Sequence, residues 1–142
     1  MIDIIVGFKE ENGLEYRDRL KMEFTDKIHP LLRVVIFYIA YLVATRLRRV
    51  LVVTCLVRKP VENENDNGMP NSSHLTGRAA DIRTRAMDIQ TSDWIIQEVK
   101  ALFGDKIHII RHTAGTGDHL HVNVNYPYAG KYTEVIYARV GA

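Results

Sequence analysis

From Val50 to Val57 the chain is aliphatic or β-branched at every position except Cys55. So short and so apolar a run is a strand buried on both faces, and it belongs centrally in a sheet. Before it, Ile28, Leu31, Leu32, Val35, Ile39, Leu42, Val43 and Leu47 recur at helical spacing. They predict a core helix from Asp26 to Arg49, with Pro30 tolerated in the first turn. Arg46, Arg48 and Arg49 at its end suit the negative pole of the helix dipole. The most apolar part, Val34 to Ala44, is shorter than the roughly 20 residues a membrane span needs, so it reads as buried. After the strand, Lys59 to Ser73 is rich in proline, glycine and asparagine and reads as a loop.

Ala79 to Arg83 predicts a second strand. Ser92 predicts the cap of a helix running through Trp94, Ile95, Val99, Leu102 and Phe103 to a stop at Gly104. Ile107 to Arg111 and Leu120 to Asn125 alternate as two strands joined through the turn Thr113 to Gly117, an antiparallel hairpin. Thr133 to Val140 is the last strand expected. Ahead of all these, the first 25 residues mix apolar pieces with a charged turn, Lys9 to Gly13. The expectation is an α+β fold with a mainly antiparallel sheet and flanking helices, in one domain over residues 1–142.

The charge balance narrows the partners. A formal net charge of +2 over 142 residues sets up no strong field toward nucleic acid or anionic membrane. Arg46, Arg48, Arg49, Arg83 and Arg85 are the arginines that a nucleic-acid reading would have to use. With one cysteine, Cys55, no intramolecular disulfide forms, and its apolar neighbours suggest a small buried hydrophobe. The N-terminus lacks the basic start and cleavage site of a secretory signal, so the expectation is a chain cytoplasmic as synthesised.

Two segments carry chemistry. Ser73-His74-Leu75-Thr76-Gly77-Arg78-Ala79-Ala80-Asp81 places a histidine and a carboxylate around a glycine and small residues that permit crowding. Asp118-His119-Leu120-His121-Val122 sets two histidines at i and i+2, so in a strand both imidazoles project from one face. Two imidazoles and a carboxylate are a usual donor set for catalytic zinc, which keeps a fourth position open. Imidazole favours zinc over magnesium or calcium, and the lack of further cysteines excludes thiolate-rich structural sites. Taken singly, each of these histidines reads more readily as a surface or core residue than as a ligand. His29, His108 and His112 lack such a context and read as structural, with His112 a weaker candidate for lining a site.

These segments resemble the zinc D-alanyl-D-alanine carboxypeptidases and the related L-alanyl-D-glutamate endopeptidases of bacteria and their phages. The family pattern Ser-x-His-x-x-Gly-x-Ala-x-Asp is met by Ser72, His74, Gly77, Ala79 and Asp81, and an acidic residue three positions before the last histidine by Asp118 and His121. The run Val52 to Pro60, with Arg58, is similar to the strand preceding the first motif. The resemblance spans roughly Asp26 to Asn125. It implies a hedgehog-like fold, zinc held by His74, Asp81 and His121, Asp118 as general base and Arg58 on the substrate carbonyl. Many carboxypeptidases of the family carry glutamate where Asp118 stands. His119 resembles the first histidine of a His-x-His motif in sister murein endopeptidases, so it could share or replace the role of Asp118.

The implied substrate is a peptidoglycan stem peptide or another D-amino-acid peptide, cut by a metal-activated water in a carboxypeptidase, an endopeptidase or a phage endolysin. Neither nucleic acid nor membrane is an expected partner. The competing reading is a non-catalytic zinc-binding interaction module of the same fold, as in the hedgehog signalling domain.

Overall fold

The computed structural model describes residues 6–65, 68, 71–113 and 117–137. In chain order these form β1 (Val6–Phe8), α1 (Leu14–Asp26), α2 (Pro30–Leu47), β2 (Leu51–Cys55), α3 (Pro60–Asn65), β3 (Ala79–Arg83), α4 (Ile89–Phe103), β4 (Ile107–His112) and β5 (His119–Val124). The strands make one five-stranded sheet in the order β1-β2-β3-β5-β4. β1 runs parallel to β2, whereas the β2–β3, β3–β5 and β4–β5 pairs are antiparallel.

The α+β class is as expected, but the sheet is mixed rather than mainly antiparallel. The cause lies in the first residues, whose strand the sequence did not reveal. A three-residue strand is too short for a periodic signal, and the α1–α2 hairpin that follows it acts as the crossover a parallel pair requires. The helix expected over Asp26 to Arg49 is α2, shortened to Pro30–Leu47, whereas α1 lies almost wholly within the first 25 residues, where no helix was expected. Lys27 closes α1 by donating its backbone N–H to Glu23, and His29 Nδ1 accepts from the Leu31 N–H at 3.0 Å to cap α2. Pro30 sits at the start of α2, where its missing N–H costs nothing.

Other boundaries shift for local reasons. Asp88, not Ser92, caps α4, because its carboxylate accepts from the Thr91 N–H at 2.7 Å. The segment expected to be a loop contains the short helix α3, and residues 66, 67, 69 and 70 of it lie outside the described residues. β2 is flanked on both sides but β3 is the middle strand. The β4–β5 hairpin forms as expected, its turn residues 114–116 lying outside the described residues. No strand forms over residues 133–137, and 138–140 are outside the description.

Helices and sheet share one continuous core. Leu20 and Phe24 of α1, Ile36 and Ile39 of α2, and Ile95 and Val99 of α4 pack with Val53, Ile82, Ile109, Leu120 and Val122 of the sheet. α2 is long and apolar enough to cross a membrane by length and composition, yet its Leu32, Val35, Ile36, Ile39 and Val43 are built into this core. Strand alternation then dictates the opposite face. If Ile82, Leu120 and Val122 face the core, then Asp81, Arg83, His119, His121 and Asn123 face away from it, and there the site is built.

Candidate metal centre

Three features of the first motif fix His74. The Ser72 hydroxyl accepts from the His74 N–H at 3.2 Å, and the His74 carbonyl accepts from the Arg58 N–H at 3.1 Å. Gly77 has φ +76°, and a Cβ there would lie 2.9 Å from the Lys27 carbonyl oxygen, so only glycine fits both the backbone and the space. Ala79 and Ala80 start β3 fully buried. Asp81 is then paired in register with His121, and Arg83 with His119.

Asp81 Oδ1 is the focus. It lies 3.1 Å from His74 Nε2, 3.2 Å from His121 Nδ1 and 3.5 Å from His119 Nε2. Each ring has its far nitrogen beside an oxygen: His74 Nδ1 at 2.7 Å from the Leu56 carbonyl, His121 Nε2 at 3.0 Å from Asn123 Oδ1 and His119 Nδ1 at 2.9 Å from the Gly117 carbonyl. Carbonyl oxygens only accept, so the proton of each neutral ring belongs on its far nitrogen. The near nitrogens therefore present lone pairs toward a carboxylate oxygen, and an arrangement of acceptors facing acceptors is stable only with protons or a cation between them. A second hydrogen bond that fixes the tautomer and aims the other nitrogen is the usual support of a metal-binding histidine.

The electrostatics say the same. Burial opposes charge on His74, yet the Cys55 sulfur and the Asp81 carboxylate beside it raise its pKa to about 10. Burial alone would raise Asp81, but His74, His121 and His119 hold it well below the usual carboxylate range. Without a metal, a proton on His74 fills the place of the cation.

Cys55 belongs to this group as well, contrary to the expectation of a plain buried hydrophobe. It is half-buried, its Sγ lies 3.7 Å from His74 Nδ1, and Cys55, His74 and Asp81 offer ligand atoms all within 4.8 Å of one another. This trio could hold a metal ion. The cause of its placement is an irregularity in the β2–β3 ladder: Val53 pairs with Ile82 and Cys55 with Asp81, so one extra residue stands on β2. Such a bulge moves the next side chain to the other face of the sheet. Unbroken alternation would have kept Cys55 with Val53 on the core side, and no local signal in the sequence marks the bulge.

No family model, curated protein or solved structure matches this chain.

The remaining site residues take distinct positions. Arg58 reaches the cluster with Nη2 3.6 Å from Asp81 Oδ2. Asp118 is held in a two-pronged ion pair, with Arg111 Nε and Nη2 donating to its two oxygens at 2.8 Å each. Arg111 also donates to the Asp88 carbonyl and the Ser92 hydroxyl, which ties Asp118 to the start of α4. This pairing, with help from the Thr84 hydroxyl, lowers the Asp118 pKa. His112 stands with its ring centroid 5.3 Å from that of His119, and His108 6.4 Å from that of His121, so both enlarge the histidine-bearing face. A cleft of about 770 Å³ opens beside the cluster, lined by Cys55, Arg58, Asp81, Asp118 and His119 among others.

Sequence reasoning did not anticipate Asn123, Arg111 or the bulged Cys55. Asn123 had a signal: it continues the i, i+2 series His119, His121, Asn123 on one strand face. Arg111 pairs across the hairpin with Leu120, a relation that only the register reveals.

Proposed function

We propose that the chain is a zinc-dependent peptidase of the D-alanyl-D-alanine carboxypeptidase and L-alanyl-D-glutamate endopeptidase type, acting on peptidoglycan stem peptides. The observation that carries this reading is the convergence of His74 Nε2, His121 Nδ1 and Asp81 Oδ1, each imidazole being aimed by a hydrogen bond at its far side. Two nitrogens and one carboxylate oxygen suit zinc and leave room for water. The same residues are those the family pattern selects, which supports the substrate class. The alternative trio replaces His121 by Cys55, whose sulfur lies beside His74 Nδ1, the nitrogen already engaged by the Leu56 carbonyl.

Zinc bound there would supply Lewis acidity and would lower the pKa of a water to about 7. His74, Asp81 and His121 would hold the ion, and the hydrogen bonds that the two rings donate to the Leu56 carbonyl and Asn123 Oδ1 keep them from turning. Asp118 accepts the proton of the attacking water. Arg111 keeps it ionised throughout the neutral range, and each of its oxygens retains a lone pair beyond the one given to the guanidinium. As the peptide carbonyl is attacked, negative charge grows on its oxygen, and the Arg58 guanidinium is the nearby cation that stabilises it. The proton held on Asp118 then passes to the leaving amine. His119, with Nε2 directed at the cluster, is the second candidate for the proton-accepting role.

The grip of Arg111 on Asp118 favours one competing reading, a zinc-binding interaction module without turnover. One experiment separates the two: the zinc-loaded chain is incubated with defined muropeptides and the products are weighed by mass spectrometry. Cleavage at one peptide bond, abolished by a chelator and restored by zinc, is the expected result. Zinc binding at one equivalent with every muropeptide intact favours the module, and failure to bind zinc overturns both.

A further inference from the structure

The cleft beside the histidine cluster has a second wall. Besides the groups already described, Lys9, Glu11, Arg83 and Arg85 line it. Lys9 follows β1 and is fixed by its backbone N–H, which donates to the Val53 carbonyl at 3.0 Å. Arg83 ends β3, and Arg85 follows two residues later.

The charges of this cleft do not cancel. Glu11 is matched by Arg83, whose Nη2 lies 2.7 Å from it, and Asp118 is matched by Arg111 at 2.8 Å. Asp81 has Arg58 at 3.6 Å and the three histidines around it. Among the described residues, Lys9 and Arg85 have no ion-pair partner within 4.0 Å; Arg85 only adds to the positive field acting on Glu11. Two cations on the wall of a concave site, with every acidic neighbour already engaged, form an electrostatic socket for an anion. A divalent ion bound at Asp81 makes the cleft more positive still.

We propose that Lys9 and Arg85 form a subsite for a free carboxylate of the peptide, so that the cleft selects anionic peptides over neutral ones. This rests on reading the cleft as a peptide site, and it names the substrate chemistry on one side of the bond. Arg85, one of the arginines that would count toward nucleic acid in a linear reading, is thereby assigned to the substrate. Two carboxylates could fill the subsite: one internal, such as the α-carboxylate left free by a γ-linked glutamate, or the C-terminal one.

The test is an NMR titration of the 142-residue chain, with chelator present so that no cleavage intervenes. The probes are L-alanyl-γ-D-glutamyl-L-lysine and versions amidated at the glutamate α-carboxylate, at the C-terminus, or at both. The expected result is that amidating one of the two positions weakens binding about fivefold, as for a solvent-accessible ion pair near the upper end of its usual strength. That position identifies which carboxylate is read. Lys9→Gln and Arg85→Gln should each weaken binding of the free acid by a similar factor and leave the doubly amidated peptide unaffected. Equal affinity for acid and amide forms, no binding of any form, or variants that bind like the parent would overturn the subsite. So would displacement of the peptide by a short single-stranded oligonucleotide at lower concentration, since that result assigns the cations to nucleic acid. Failure of the peptidase reading looks different: carboxylate-selective binding persists while the zinc-loaded chain cleaves nothing.

Discussion

Glu23 and Asp81 are both buried carboxylates surrounded by ionisable groups, and their surroundings follow opposite plans. Around Glu23 every contact joins a donor to an acceptor: Arg19 Nε at 2.8 Å, the Val57 N–H at 3.2 Å and the Tyr137 hydroxyl. The rest of the Arg19 fork is taken by Glu62 and the Val57 carbonyl. Around Asp81 the neighbours are three imidazole nitrogens whose far sides are already bonded, so a neutral ring there brings a lone pair, and a cation or an added proton, such as the one on His74, has to join it to the carboxylate. The first cluster is saturated by the protein and fastens α1, α3 and the segment after β2 to one another. The second is left one cation short. A closed network of charges specifies structure, whereas an open one specifies a ligand.

That contrast can be broken from either side. The largest effect is expected on turnover: Asp118→Ala should reduce kcat by about 10²–10⁴-fold, the usual worth of a general base, while leaving zinc content unchanged. Steady-state hydrolysis and metal analysis on one preparation check this, and unchanged turnover would transfer the role to His119. On the closed cluster, Glu23→Ala leaves the Val57 N–H and the Tyr137 hydroxyl without their acceptor, while Arg19 keeps Glu62, and should cost about 1–3 kcal/mol of stability in urea unfolding. A loss below 1 kcal/mol would mean that the network contributes little to the fold.

The next step down concerns the supports of the open cluster. Asn123→Ala removes the bond that aims His121 and should weaken zinc affinity about 10–100-fold in chelator competition, with the unfolding curve of the metal-free protein little changed. The smallest effect is expected at Cys55. Cys55→Ser should leave zinc affinity within about threefold, because the ligand set proposed omits the sulfur. Cobalt substitution adds a spectroscopic check: the absence of thiolate charge-transfer absorption is the expected result, and its presence would make the Cys55, His74, Asp81 trio the true ligand set.

Much of the site was legible because its residues are local in sequence. His74, Gly77 and Asp81 fall within one turn and the strand after it, and His119, His121 and Asn123 share one strand face. What escaped depends on relations between segments. β1 was too short to announce itself, and its parallel pairing turns the sheet from mainly antiparallel to mixed. α1 escaped because its inward positions, Leu20, Glu23 and Phe24, include a carboxylate whose partners Val57 and Tyr137 come from elsewhere in the chain, so no apolar period marks the helix.

Sequence alone determined which side chains could meet a metal and that the strand bearing two of them presents both on one side, since alternation of side chains follows from the backbone of any extended chain. Only the tertiary structure decided that Asp81 stands opposite His121, that a bulge turns Cys55 toward them, and that Arg111 reaches across the hairpin to hold Asp118. Register, bulges and long-range ion pairs arise from packing between segments distant in the chain, and no window of neighbouring residues encodes them.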